Sequence, residues 1–322
     1  MGRRVVVWRV TERCNLACGF CAFDRTLPFA RREVALDDVV RFVDLLGELR
    51  SRDGREVLIS WLGGEPFLWP HLELATIRAR NAGLQTSLTT NGLALASPRW
   101  LEFARTQLDE LTISVDGTAD LHDALRGQPG HHERLLEATR ALRGGRAAIK
   151  VNTVLMADNI EAFEEMALEL ADAGVGALTF NALGGRDRPE FHAQHKLSLE
   201  QIDAFAEALP RVRARAAERG MAILGGSAYL ARLRASALGE KLAVDDCGPG
   251  EHFCFIDAEG FVAPCSFSTD GVGVPLDTLR SVDDLLVLPK TFARRRDQAR
   301  LAVCRDCPST QVFSKFTREV PA

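Results

Sequence analysis

The chain has 322 residues, 46% of them apolar and 26% charged, with 40 basic and 44 acidic side chains and a formal charge of −4. Such a length suggests two domains, or one large domain with an appendage, and the ordinary composition excludes a disordered or collagen-like polymer. No apolar run nears the ~18 residues of a membrane helix. The basic start Met1-Gly2-Arg3-Arg4 leads straight into a strand-like run rather than a secretory leader, and Val6 stands where a myristoylation signal needs Ser or Thr. The near-even charge gives no basis for a nucleic-acid or membrane partner. The expectation is a cytoplasmic protein.

The body alternates strand and helix. Residues 4–10 read as a short Val-rich strand. Residues 36–49 read as a helix, with an apolar stripe and Asp37-Asp38 in the first turn. A strand over 56–61 runs into Gly63-Gly64, and a helix over 72–82 stops at Gly83. The third strand, 84–90, closes on Asn91-Gly92. A helix follows over 98–106, with Ser97 as N-cap and Pro98 at its first position. Strand 111–115 turns at Asp116-Gly117, and helix 132–142 ends before Gly144-Gly145. Strand 147–155, helix 160–173 with Asn159 as N-cap, and strand 176–181 complete six βα repeats. Then come a polar loop over 182–196, a long helix over 199–219 and a short strand over 221–224. From about residue 240 the texture changes to short strands, turns and cysteines, so a domain boundary is placed there.

Repeated strand–helix alternation implies a parallel sheet covered by helices, open or closed into a barrel. Ligands then sit at the C-terminal ends of the strands. The Gly-rich and polar segments fall at those ends: the cysteine loop after strand one, Gly63-Gly64-Glu65-Pro66 after two, Thr90-Asn91-Gly92 after three and Asp116-Gly117 after four. Each alone is an ordinary turn. Together, on four strands, they mark one rim.

Eight cysteines fall into two groups with none between residues 22 and 246. A disulfide framework suits a small secreted chain, not this one. Cys14, Cys18 and Cys21 form a C-x3-C-x2-C run. Three thiolates this close hold three corners of a cubane iron–sulfur cluster and leave one iron open. A zinc site completed from elsewhere, or reduced buried thiols, is the alternative that spacing leaves open. Cys247 and Cys265 flank a hairpin turning near Glu259-Gly260, and Cys304-Arg305-Asp306-Cys307 supplies a C-x2-C knuckle. Those four can surround one metal centre, zinc included. Cys254 is left over. It reads as a small buried apolar residue, with a substitute ligand or a thiol hydrogen donor as the alternatives.

The C-x3-C-x2-C run, with Phe20 just before the third cysteine, resembles the radical S-adenosylmethionine (SAM) enzymes. The likeness covers roughly residues 5–182. It implies a partial (β/α)6 barrel in which a 4Fe-4S cluster on Cys14, Cys18 and Cys21 binds SAM and reductively cleaves it to a 5′-deoxyadenosyl radical that abstracts hydrogen from a substrate carbon. By the same resemblance Gly63, Gly64 and Glu65 contact the SAM amino group and Phe20 packs near the adenine. Thr90-Asn91-Gly92 and Ser114-Val115-Asp116-Gly117 match elements of the subgroup related to peptide-modifying and molybdenum-cofactor enzymes. Ser114 and Arg126 would then contact the ribose and carboxylate region, with Thr90, Asn91 and Asp116 also in the cofactor site. At the other end, Gly260 and Cys265 fit the G-x4-C signature of the SPASM and twitch modules. Five cysteines there match the shorter twitch form, with one auxiliary 4Fe-4S cluster on Cys247, Cys265, Cys304 and Cys307.

The resemblance therefore implies a radical SAM core over 1–240 and a small, cysteine-rich, twitch-like α+β domain over 241–322. A second cluster with four cysteine ligands accepts an electron, so the expected outcome is a two-electron oxidation of substrate. An external electron donor such as flavodoxin or ferredoxin is implied. No catalytic acid or base can be named; Arg186, Arg188, His192 and His195 lie within reach of substrate, or on a solvated loop. Only thirteen residues precede Cys14, so a leader-peptide-binding domain is expected to be absent. The expected substrate is accordingly a small sugar-, cyclitol- or nucleoside-like metabolite of natural-product or cofactor biosynthesis. The alternatives are a peptide- or protein-modifying maturase and a zinc-binding scaffold without catalysis.

Overall fold

The structure, a computed structural model, describes residues 2–313, 315 and 316. In chain order the elements are β1 (Arg4–Thr11), α1 (Leu36–Asp53), β2 (Val57–Gly63), α2 (Leu72–Asn81), β3 (Gln85–Thr90), α3 (Pro98–Gln107), β4 (Glu110–Ser114), α4 (Ala119–Arg126), α5 (His131–Ala141), β5 (Ala148–Leu155), α6 (Phe163–Ala173) and β6 (Ala177–Ala182). These strands pair in parallel and in sequence order, the partial (β/α)6 barrel that the resemblance implies. Then follow α7 (Pro189–His195), α8 (Leu199–Ala217), β7 (Ala222–Ile223), α9 (Ser227–Leu238), β8 (Phe253–Ile256), β9 (Phe261–Ala263), α10 (Thr269–Val272), β10 (Val274–Pro275), α11 (Val282–Gln298) and α12 (Ala302–Arg305).

Period-two burial shows why the barrel has two faces. In β1, Val6, Trp8 and Val10 are buried while Val5, Val7 and Arg9 are not fully so, because successive strand side chains point to opposite faces. Trp8 packs edge-on against Phe42 of α1 with ring centroids 5.6 Å apart. Burial of each such side chain contributes roughly 1.5–3 kcal/mol. The other face, with Arg9, Asn152 and Asn181 on β1, β5 and β6, is the inner face of the barrel.

The C-terminal segment joins the same sheet. β8 pairs in parallel with the free edge of β1, with Val6 opposite Cys254, and β9 and β10 continue antiparallel. The turn between β8 and β9 places Gly260 at φ 84°, a conformation that glycine takes without steric cost. Its hairpin is the one expected near Glu259-Gly260. α11 closes over α1, where Arg41 donates to the Leu279 and Leu276 carbonyls at 2.6 and 3.0 Å.

Several local expectations need correction. Ser97 makes no side-chain cap bond; Pro98 alone opens α3. Asn159 is not the N-cap of α6, which begins after Ala162. Its amide instead donates to the Asp116 and Val154 carbonyls at 3.0 and 2.8 Å. The polar stretch 182–196 contains α7, and the region after about residue 240 contains the long helix α11.

Candidate functional site

The cysteine loop leaves β1 and turns back on itself, with the Cys21 N–H donating to the Cys18 carbonyl at 3.0 Å. Cys18 is buried, Cys14 and Cys21 are half-buried, and all three are free thiols. They are electrostatic neighbours of one another. Burial pushes the Cys18 thiol up to about 12 and raises Cys14 and Cys21 too. The loop therefore keeps its protons until a cation displaces them. Donors already point at sulfur: the Phe23 N–H is 3.4 Å from Cys21 Sγ, and Asn91 Nδ2 is 3.9 Å from Cys14 Sγ. Among the described residues no three His, Cys, Asp or Glu side chains are close enough to hold one metal ion. A mononuclear zinc, with Zn–S bonds of ~2.3 Å, draws its thiolates to about 3.8 Å of one another. A cubane spreads them over separate irons, and this donor set fits the larger group.

The end of β2 is moulded to the root of that loop. The Gly64 N–H donates to the Thr11 carbonyl at 2.9 Å and the Glu65 N–H to the Arg13 carbonyl at 2.7 Å. A Cβ on Gly63 would lie 2.5 Å from the Thr11 oxygen, and one on Gly64 2.4 Å from the Arg13 oxygen. Close approach, rather than backbone conformation, demands the pair of glycines. Glu65 is fully buried. One oxygen accepts from Thr90 Oγ1 at 2.8 Å and the Phe67 N–H at 3.2 Å; the other accepts from the Asn91 N–H at 2.8 Å. Burial pushes this carboxyl up to about 7 against those three donors. Glu65 thus ties β3 to β2, and Asn91 reaches on to Asn15 in the cysteine loop at 2.8 Å.

At the end of β4, Asp116 is fully buried. Its Oδ2 accepts from Arg126 Nε at 2.7 Å and Nη2 at 2.5 Å, and its Oδ1 from the Val154 N–H at 2.8 Å. Burial opposes the charge of Arg126, but Asp116 and then Cys18 outweigh it and raise the guanidinium above its ordinary value. The Arg126 guanidinium lies 5.5 Å from the Phe20 ring. Ser114 stands on the same rim, in register with Asn152 of β5, and makes no side-chain hydrogen bond among the described residues.

Sequence reasoning missed two supports. The first is α7. Phe191 lies 6.1 Å from Phe20, stacks on His195 at 3.9 Å, and covers Gly19, where a Cβ would sit 3.0 Å from its ring. Arg188 donates to the Cys21 carbonyl at 3.3 Å and to Asp24 at 3.2 Å. Arg186 lies over Phe267 at 5.1 Å, so this segment bridges the two cysteine regions. His192 packs at Gly185, and His195 pairs with Asp158 at 2.7 Å. An aromatic inside a polar stretch was the available signal. The second support is a buried histidine pair. The Asp116 N–H donates to His122 Nδ1 at 3.1 Å, so His122 carries its proton on Nε2, which lies 3.1 Å from His131 Nδ1. Burial, then the charge of Arg126, pushes His122 down to about 2 and His131 to about 4.

Cys247, Cys265, Cys304 and Cys307 line a single cavity of about 260 Å³. Arg296 donates to Cys247 Sγ at 3.5 Å, and Ser268 Oγ lies 3.3 Å from Cys265 Sγ. Burial raises Cys304 and Cys307, and the neighbouring cysteines raise them further. Cys254 is apart, buried in the core on β8, where burial pushes its thiol up to about 12.

The model of the radical SAM superfamily matches residues 8–170, half of the chain. The chain belongs to the radical SAM superfamily. Membership implies a 4Fe-4S cluster and SAM. The chain is 28% identical over 274 residues to an AdoMet-dependent heme synthase of Methanosarcina barkeri, covering 82% of this chain and 77% of that protein. It is 28% identical over 316 residues to a PqqA peptide cyclase of Xanthomonas euvesicatoria, covering 95% and 80%. It is 26% identical over 271 residues to the mycofactocin maturase MftC of Mycobacterium tuberculosis, covering 82% and 64%. Streptococcus suis SuiB bound to S-adenosylmethionine superposes with a TM-score of 0.68 at 15% identity, covering 98% of this chain and 72% of that one. Native anSMEcpe with AdoMet and a peptide gives 0.65 at 17% identity, covering 96% and 88%. These structures share the fold. No helix among the described residues is long and apolar enough to cross a membrane.

Proposed function

We propose that this radical SAM enzyme modifies a peptide by hydrogen abstraction, and that it belongs to the SPASM/twitch-type subgroup. The carrying observation is the convergence of Cys14, Cys18, Cys21, Phe20, Asn91 and Arg126 on one barrel rim, beside a second cavity holding four cysteines. The relatives named as a PqqA peptide cyclase and a mycofactocin maturase favour a peptide over the small metabolite expected first. The heme synthase relatives favour a small-molecule substrate as the second reading.

In this reading residues 1–240 form the SAM-cleaving core and residues 241–322 the auxiliary module. Cys14, Cys18 and Cys21 would hold a 4Fe-4S cluster, which would supply the electron for reductive cleavage of SAM to a 5′-deoxyadenosyl radical. Cys247, Cys265, Cys304 and Cys307 would hold an auxiliary cluster, which would supply an acceptor for the electron left on substrate. The chain's own residues do the positioning. Gly63 and Gly64 let β2 approach the cysteine loop. Glu65 and Thr90 fix Asn91 against Asn15 and Cys14, and Asp116 aims Arg126. Phe20 and Ser114 complete the SAM-facing rim, and a dry, fixed geometry limits quenching of a reactive carbon. An external reductant such as flavodoxin or ferredoxin delivers the electrons.

The test is anaerobic reconstitution with iron, sulfide, SAM and dithionite. Formation of 5′-deoxyadenosine, with a candidate peptide becoming two hydrogens lighter, supports the proposal. Absence of 5′-deoxyadenosine overturns it, as does metal analysis finding only zinc. A product of unchanged mass with SAM regenerated removes the oxidative part.

A further inference from the structure

Lys315 is one of five lysines in a chain with 40 basic residues, and it is 5% exposed. Its Nζ donates to Asn181 Oδ1 at 2.6 Å and to Asn152 Oδ1 at 3.0 Å. This seat is built rather than incidental. Asn181 Nδ2 and Thr179 Oγ1 both donate to Asn152 Oδ1 at 3.1 Å, which fixes the acceptors in place. Both asparagines stand toward the C-terminal ends of their strands, and Asn152 is the register partner of Ser114. The seat therefore adjoins the rim that carries Asp116 and Arg126.

Among the described residues the charge at this seat meets only neutral groups. Two N–H groups meet neutral amide oxygens, and among the described residues no carboxylate pairs with Lys315. The ammonium also lies 5.2 Å from the Phe316 ring centre, and burial draws its pKa down to about 7. An internal ammonium without a counter-charge is costly. Elsewhere the buried cation Arg126 has Asp116; among the described residues Lys315 has no such carboxylate. Delivery of the lysine is also specific. Cys304 and Cys307 open the segment, and Ser309, Gln311 and Val312 line the four-cysteine cavity. The Lys315 N–H then returns to the Thr310 carbonyl at 3.3 Å. The stretch that supplies two cavity thiols thus ends by inserting a cation into the barrel.

We propose that Lys315 is a positioning residue that seats a carboxylate, carried by the substrate or by SAM, at the mouth of the barrel. This rests on the radical SAM reading above. A carboxylate completes the third N–H and neutralises the charge, while Asn152 and Asn181 hold the ammonium at one point on the rim.

The test is the titration of Lys315 by NMR in holoenzyme carrying 13C-lysine and oxidised clusters; Lys315→Arg identifies its signal among five. Without ligand the midpoint is expected near 7, below the other four. A carboxylate on Nζ should raise it by about one pH unit or more. A rise with SAM, but not with 5′-methylthioadenosine, assigns the carboxylate of SAM. A rise when glutarate is added to the 5′-methylthioadenosine complex assigns a substrate carboxylate. If neither moves the midpoint, or if the ligand-free lysine titrates with the others, the proposal is overturned. The wild-type 5′-deoxyadenosine assay is independent of this midpoint, so failure of the functional reading is seen separately.

Discussion

Arg126 grips a single oxygen of Asp116 with two nitrogens, at 2.7 and 2.5 Å, while the other Asp116 oxygen is held by the Val154 backbone. The pair links the end of β4 to β5 and fixes a guanidinium beside Cys18 and Phe20. Replacing Asp116 by Ala leaves a buried cation without its partner. We expect a loss of about 3–5 kcal/mol of stability, read by denaturant unfolding, together with weaker SAM binding measured by equilibrium dialysis. Unchanged stability would mean that Arg126 finds another partner.

Gly64→Ala tests the approach of β2 to the cysteine loop. The new methyl would sit 2.4 Å from the Arg13 carbonyl oxygen, and backbone cannot yield there without moving the loop. Iron content after reconstitution should fall by roughly half, with the second site retained, since a well-packed region transmits such an overlap. Full iron loading and normal SAM cleavage would refute the steric argument.

The two sets of C-terminal thiols should separate cleanly. Cys304→Ser removes a sulfur from the four-cysteine cavity and should cost about half of the bound iron. Cys254→Ser should leave iron unchanged and lower stability instead, by about 1–3 kcal/mol, because it buries a hydroxyl beside Val6 in the core. Iron loss in the second variant would place Cys254 among the ligands.

The buried His122–His131 pair sets an acid limit. Both folded-state values are depressed, to about 2 and about 4, below the ordinary 6.5. Below pH 6.5 the unfolded chain therefore binds protons that the folded chain refuses. Stability is present above that pH and falls as pH drops toward 4, by up to ~1.4 kcal/mol per pH unit for each histidine. Denaturant unfolding between pH 7 and 4 should show this slope. The double variant H122N/H131N should lack it; an equal slope would show that other groups are responsible.

The rim was legible in the sequence because its parts are local. Cys14, Cys18 and Cys21 are spaced within one loop, and Gly63-Gly64, Asn91-Gly92 and Asp116-Gly117 follow successive strands, so alternation alone orders them along one edge. What escaped depends on contacts between distant segments. α11 contains Pro289, a residue that argues against a helix interior; its Ser281–Asp284 capping box and its packing on α1 override that preference. Asn159 looked like a cap, yet its amide is drawn to carbonyls at the ends of β4 and β5. His122, His131 and Lys315 carry no spacing signature. Only the folded chain brings them to Asp116, to Asn91 and to the barrel wall.

The parallel pairing of β8 with β1 has a consequence for how this protein is made. Val5–Trp8 reach their second row of hydrogen-bonding partners only when Phe253–Ile256 arrive. During translation that edge stays bare until most of the polypeptide has left the ribosome. Exposed strand edges recruit other chains. Slow elongation past the barrel, or early termination before residue 253, should therefore yield insoluble material rather than a shortened but working enzyme.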